Sequence, residues 1–199
     1  FAEINPALKA LCAEFQHPEF HALEYRHDGL RLHGTIVQNY RSGVLIHAVH
    51  KKNLTPKLQV SAGLQALILR AVGHYVSVGV QTAVKSHLSE LPYSQDQACR
   101  YLDFLLERYL VGQNTILCFD PDSSFSWYAF KKKRPDSHIN DWLAQQMAKE
   151  EQTMERYGPR LSDVLTEGHG FLKAVAMRDP ENFDALSLSV CRILSGEAE

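Results

Sequence analysis

The sequence lacks an excess of charge of either sign, and it lacks long apolar runs. Its 199 residues carry 21 lysines and arginines against 23 aspartates and glutamates, so the formal net charge is -2. A chain this close to neutral has no global attraction to nucleic acid or anionic lipid, and any such binding must come from a local patch. The most apolar stretch, residues 58–88, is interrupted by polar and charged side chains. It therefore does not supply the ~20 lipid-compatible residues that a membrane span requires.

Cysteine is also sparse. The four cysteines lie far apart, without a Cys-x-x-Cys motif or a cysteine–histidine cluster at zinc-finger spacing, at Cys12, Cys99, Cys118 and Cys191. This spacing argues against a structural zinc site, and we expect neither a metal nor a cofactor. Their apolar neighbours are typical of buried, reduced thiols, which favours a cytoplasmic location. The chain begins at Phe1 and shows no secretory signal, so we expect it to be a piece of a longer protein.

What the sequence does contain is the composition of a folded domain, with 45% hydrophobic residues. A chain of this length buries about 70% of its unfolded surface. After a short amphipathic helix at about residues 5–16, two hairpin signals, Asp28-Gly29 and Arg41-Ser42-Gly43, separate three strand-like runs within residues 21–52. This pattern predicts a three-strand antiparallel meander.

The rest of the chain alternates between helical and strand-like patterns. Helical periodicity begins after Thr55-Pro56, whereas residues 74–84 fit a helix or a strand. The capping box Ser94-x-x-Gln97 predicts a helix that ends near Gly112. The remaining predictions are a β-hairpin of 115–119 with 125–131 around the turn 120–124, helices at 137–157 and 161–175, and a final run at 183–194 that fits helix or strand equally.

The order of these elements predicts an α+β fold. We expect an antiparallel sheet, made of the three-strand meander plus the hairpin, packed with helices. The second half of the helix at 137–157 is mostly charged, and Gly158-Pro159 ends it. The simplest partition is an α+β domain over residues 1–158 and a helical C-terminal extension over residues 159–199 that packs on it.

One concentrated positive patch, Lys131-Lys132-Lys133-Arg134, follows the aromatic residues Trp127 and Tyr128. Such a run can bind phosphate groups or an acidic protein segment, and neighbouring aromatic rings can stack on bases. These six residues are the predicted binding site, and they support a nucleic-acid-binding accessory role. The alternative is that the lysines protect the end of an edge strand from aggregation.

Two histidine motifs, His33-Gly34-Thr35 and His87-Leu88-Ser89, offer an enzymatic alternative. They resemble the paired His-x-Ser/Thr motifs of the two-histidine phosphoesterase family. The resemblance implies that His33 and His87 act as base and acid on a phosphodiester, while Thr35 and Ser89 hold the phosphate oxygens. The sequence alone leaves open whether the protein is an enzyme.

The predicted element order also resembles that of class I chaperones of type III secretion. The likeness is strongest from Ala98 to Tyr157, where Leu105–Leu110 leads into the predicted hairpin and a closing amphipathic helix. The resemblance implies a non-enzymatic module, adaptor or chaperone-like, that forms a homodimer and holds a segment of a partner protein. This protein-binding role is the main prediction, with the phosphoesterase and the nucleic-acid-binding accessory protein as alternatives.

Overall fold

The structure is a computed structural model that describes residues 19–38, 44–48, 54–74, 77–82, 86–89, 91–157 and 176–198. The helices predicted at 5–16 and 161–175 lie outside these residues. The described strands are β1 Glu19–His27, β2 Leu30–Gln38, β3 Val44–Ala48, β4 Ser77–Gln81 and β5 Ser86–Ser89. The described helices are α1 Pro56–Ala71, α2 Gln95–Asn114, α3 Pro121–Lys133, α4 Ile139–Tyr157 and α5 Pro180–Ser195.

The chain divides into two compact units. The first comprises residues 1–110 together with 193–199, and the second comprises residues 111–192. The described residues are mostly helical with a smaller β component, which confirms the α+β class. The predicted partition at residue 158 stays a prediction. No helix among the described residues is long and apolar enough to cross a membrane.

Strands β1 and β2 form the antiparallel hairpin that the Asp28-Gly29 pair predicts. Their register runs from Glu19 opposite Gln38 to His27 opposite Leu30. Both turn residues have positive φ, 42° at Asp28 and 79° at Gly29. Two consecutive positive φ angles are typical of the tight turn whose twist matches that of the flanking strands. The first two strands of the meander are therefore confirmed.

The third strand of the predicted meander does not continue this sheet. Strand β3 pairs in parallel with β4, and β5 pairs antiparallel with β4 on its other edge. A parallel pair requires a long crossover connection, and α1 lies between β3 and β4 in the chain. The Val44-Leu45-Ile46 run of β3 is typical of strands in parallel sheets. The three-strand meander is therefore not confirmed.

The predicted hairpin at 115–131 is wrong, because residues 121–133 form the helix α3. Asp120 is its N-cap, and its carboxylate accepts a hydrogen bond of 2.9 Å from the backbone N–H of Ser123. Pro121 follows at the start of the helix, where a missing N–H costs nothing. The Asp-Pro-Asp-Ser segment that resembles a hairpin turn is thus a helix start.

Other local predictions hold. The capping box forms at α2, where the backbone N–H of Gln97 donates to Ser94 Oγ over 3.2 Å and that of Ser94 donates to Gln97 Oε1 over 3.0 Å. The helix predicted at 137–157 is α4, and the ambiguous run at 183–194 is part of α5. Cys118 and Cys191 are buried and unpaired, and burial raises the pKa of both thiols, that of Cys191 to about 12.

The first unit is organised around the apolar face of α1. Leu67 and Leu69 are fully buried, and α1 packs against β4. The hydroxyl of Tyr93 donates a 3.0 Å hydrogen bond to the carbonyl of Ile193, which attaches the C-terminal residues of the chain to this unit.

Gly63 lies in α1 where the backbone of another segment comes close, because a Cβ atom there would lie only 2.6 Å from the carbonyl oxygen of Leu194. No side chain larger than hydrogen fits without movement of backbone.

We therefore expect Gly63→Ala to destabilise the protein. Alanine is normally favoured over glycine in a helix by ~1 kcal/mol. Here the clash with backbone should outweigh that gain and lower the free energy of unfolding by about 1–3 kcal/mol, measured by urea denaturation. Gly34→Ala is the matched control, because nothing lies within 4 Å of a Cβ atom at Gly34 in β2. An equal or smaller loss at Gly63 than at Gly34 would contradict the assigned packing.

Candidate nucleic-acid interface

The basic run lies at the C-terminal end of α3. Lys131, Lys132 and Lys133 occupy the last turn of the helix, and Arg134 is its C-cap residue. Cations at this end of a helix interact favourably with the negative pole of the helix dipole. Stabilisation of α3 is therefore one reason for basic residues at this position. The edge-strand explanation no longer applies, because these residues are not in a strand.

The four cations differ in their surroundings. Lys131 is half-buried, its Nζ donates to the carbonyl of Ser137 over 2.7 Å, and it lies 5.9 Å from the centroid of the Trp127 ring. Its charge is thus used to hold the chain that follows α3. Lys132, Lys133 and Arg134 are exposed, and the guanidinium of Arg134 lies 5.1 Å above the Phe130 ring. The side chains of the run that are exposed at the surface are therefore those of the last three residues.

The structure gives Trp127 a supporting position. Its side chain is fully buried, and its Nε1 donates a 2.7 Å hydrogen bond to Asp184. The ring stacks on Phe130 with centroids 5.8 Å apart and lies 6.0 Å from that of Trp142. A base cannot stack on a ring that is already enclosed. Tyr128 is half-buried, and its ring meets Phe125 edge-on at 6.4 Å.

A surface groove of about 350 Å³ lies between α3 and α4, beside the basic turn. Each helix contributes four residues spaced i, i+3, i+4 and i+7, which is the spacing of one helical face. The lining residues are Ser126, Ala129, Phe130 and Lys133 from α3, Trp142, Gln145, Gln146 and Lys149 from α4, and Arg134. Nε1 of Trp142 donates to Ser126 Oγ over 3.3 Å and joins the two helices. The lining holds three cations and no carboxylate.

The sequence prediction missed the half of this groove that α4 supplies. Gln145, Gln146 and Lys149 share one face of a helix that was correctly predicted. The strand predicted over residues 125–131 would point Ala129 and Phe130 to opposite sides and would not form the facing side of the groove. The signal that could have found the groove is the helical spacing of residues 126, 129, 130 and 133, once Asp120 is recognised as an N-cap.

The histidine motifs lie on two different sheets. His33 and Thr35 are exposed on β2 of the hairpin, where His33 is opposite Glu24. His87 and Ser89 lie on β5 of the other sheet, opposite Val80 and Val78 of β4. The catalytic pairing of these four residues stays a prediction.

A cluster of ionisable side chains in the first unit joins β1 to α2. Tyr25 Oη donates to Asp103 Oδ1 over 2.6 Å, and Nδ1 of His27 lies 2.9 Å from the same oxygen. Burial, with the Asp103 carboxylate as a second cause, raises the pKa of the Tyr25 hydroxyl. These bonds attach the β1–β2 hairpin to α2. No group of three side chains suited to binding a metal occurs in the described parts of the chain.

Residues 2–131 match the family model of the RecC C-terminal domain. This chain belongs to the RecC C-terminal domain family. No curated protein matches it. The match extends into α3 and ends at Lys131, so the rest of the basic turn and the α4 side of the groove lie beyond the part of the chain that the RecC family model covers.

The RecC match overturns the resemblance to type III secretion chaperones. That resemblance depended on the order of helices and strands, including a hairpin at 115–131. The helix α3 occupies those residues instead, so the element order on which the likeness rested does not exist. The chaperone family is therefore wrong for this chain.

The Asp120 cap determines where the basic turn of this RecC-family chain is presented, so its loss should be measurable. We expect Asp120→Ala to lower the free energy of unfolding by about 1 kcal/mol, because a backbone N–H at the start of α3 loses its acceptor. Asp120→Asn should retain stability, because asparagine caps helices about as well as aspartate. Thermal unfolding of the two variants tests this. Equal stability of Asp120→Ala and Asp120→Asn would contradict the capping role.

Proposed function

We propose that this RecC-family domain is an accessory module that binds DNA through the exposed basic turn Lys132-Lys133-Arg134. The family is one of DNA repair, which supports the nucleic-acid alternative over the chaperone-like adaptor. The observation that carries the proposal is the position of these three cations. They lie at a helix end whose inner face is packed through the buried Trp127. The groove next to them has no carboxylate in its lining.

The electrostatics of the chain favour a local contact. With a net charge of -2, the chain as a whole has no long-range attraction for a phosphate backbone. Binding then depends on the few cations that can reach phosphates, each of which releases condensed counterions from the DNA. Lys149, exposed on α4, extends the positive lining beyond the turn itself. A footprint of this size fits weak, strongly salt-dependent binding, as expected of one module within a larger assembly.

The domain is proposed to act together with other proteins. A RecC-type domain implies a partner within a complex of the RecBCD kind, which agrees with the protein partner predicted from the sequence. Its place in DNA repair also agrees with the cytoplasmic location predicted from the cysteines. The homodimer that the chaperone likeness implied stays a prediction.

The charge triplet gives a direct test of the DNA-binding site. We expect the triple variant Lys132→Ala, Lys133→Ala, Arg134→Ala to bind a fluorescently labelled DNA oligonucleotide on the order of tenfold more weakly at low salt. The plot of log affinity against log salt concentration should also lose about 3 units of slope, about one for each phosphate contact removed. Fluorescence anisotropy at several salt concentrations, with single-stranded and duplex oligonucleotides, measures both quantities.

The matched control removes the same charge from the first unit. Lys57, Arg100 and Arg108 are exposed on α1 and α2, so their replacement by alanine changes the net charge equally. This control should retain the affinity and salt slope of the parent protein. An equal loss in both triple variants would mean that binding follows total charge, and unchanged binding in the Lys132–Arg134 variant would remove the basic turn from the site.

A further inference from the structure

The groove between α3 and α4 has features that the binding of phosphates does not need. A row of cations alone would bind a DNA backbone, yet this groove adds an apolar wall and two side-chain amides to its cations. Resting on the DNA-binding role proposed above, we propose that the groove is a subsite for a single unpaired nucleobase. Most of its lining lies beyond the residues that the RecC family model matches.

The size and the walls of the groove suit one flat, apolar-faced group. Its volume of about 350 Å³ lies at the lower end of the range for sites that hold small molecules. Ala129 is exposed at its wall, and Trp142, 4% exposed, closes it from below. Arg134 is exposed, and the central carbon of its guanidinium lies 5.1 Å from the centroid of the Phe130 ring, so an exposed cationic group lines the groove next to an aromatic ring. Unpaired bases stack on arginine planes as well as on aromatic rings.

The polar groups of the groove match the edge of a base. Gln145 and Gln146 each carry an amide oxygen that accepts and an amide nitrogen that donates hydrogen bonds. A base edge presents the same mixture of donors and acceptors, which is why amide side chains recur as base contacts. A phosphate group presents acceptors alone and would leave the amide oxygens without a role. Two adjacent amides in this groove therefore favour a base over a second phosphate.

The exposed cations of the groove are positioned to bind the sugar–phosphate backbone on either side of a bound base. Lys133, Arg134 and Lys149 are exposed lining residues. A base that enters the groove brings its flanking phosphates toward these cations, so stacking and charge neutralisation act on the same nucleotide. An acidic peptide would satisfy the cations equally, but its carboxylates would bring no flat ring to stack on the Arg134 guanidinium.

The test separates bases from phosphates. Two 15-nucleotide probes are used, oligothymidylate and an abasic deoxyribose–phosphate chain of the same length. We expect the parent protein to bind oligothymidylate about tenfold more tightly, because only that probe can stack a base in the groove. Ala129→Phe, which fills the groove, should bring the ratio of the two affinities close to one and leave the salt slope unchanged. Gln145→Ala, Gln146→Ala should lower the same ratio without adding bulk.

Ala144→Phe is the matched control, because Ala144 is exposed on α4 but does not line the groove. It should keep the tenfold preference. Equal affinity of the parent protein for both probes, with normal salt dependence, would overturn the base subsite and leave the proposed function intact. No binding of either probe would overturn both. Displacement of oligothymidylate by polyglutamate from the parent protein, but not from Ala129→Phe, would assign the groove to an acidic peptide and also overturn the base subsite.

Discussion

The burial of Trp127 is the interaction on which the candidate interface depends. Its ring packs against Phe130 in its own helix and against Trp142 of α4, and its indole N–H is bonded to Asp184 of α5. A buried indole with its N–H satisfied holds these three helices in one arrangement. Lys131 lies over the same ring and donates to the loop that leads into α4. The cations that follow are thus presented from a helix end that is packed and hydrogen-bonded on its buried side, next to the groove.

Local chemistry explains which parts of the fold the sequence predicts correctly. The Asp28-Gly29 turn and the Ser94-x-x-Gln97 capping box are formed by residues within a few positions of one another. The local sequence is therefore enough to predict them. The partner of β3 is different, because its pairing with β4 depends on a crossover through α1. Asp120-Pro121-Asp122-Ser123 shows a second limit. The same residues favour turns and helix N-caps, and the packing of Trp127 in the hydrophobic core of the second unit favours the helix.

The candidate site shows the same division. The basic character of residues 131–134 is visible in the sequence, and the structure leaves three of these cations exposed. The sequence could not show that Trp127 is buried and closed to a stacking base. Its burial results from contacts with residues 15 and 57 positions away in the chain. The sequence could not predict the α4 side of the groove for a related reason. Gln145, Gln146 and Lys149 become neighbours of the basic turn only when residues 121–133 are helical.

In the proposed function, DNA contacts the second unit at the end of α3. Photo-cross-linking measures this contact directly, with an oligonucleotide that carries 4-thiothymidine and with mass spectrometry to identify the attached peptides. We expect cross-links within residues 126–149, and we expect them to decrease as salt concentration rises. Cross-links confined to the first unit, for example to the β1–β2 hairpin over residues 19–38, would contradict the account.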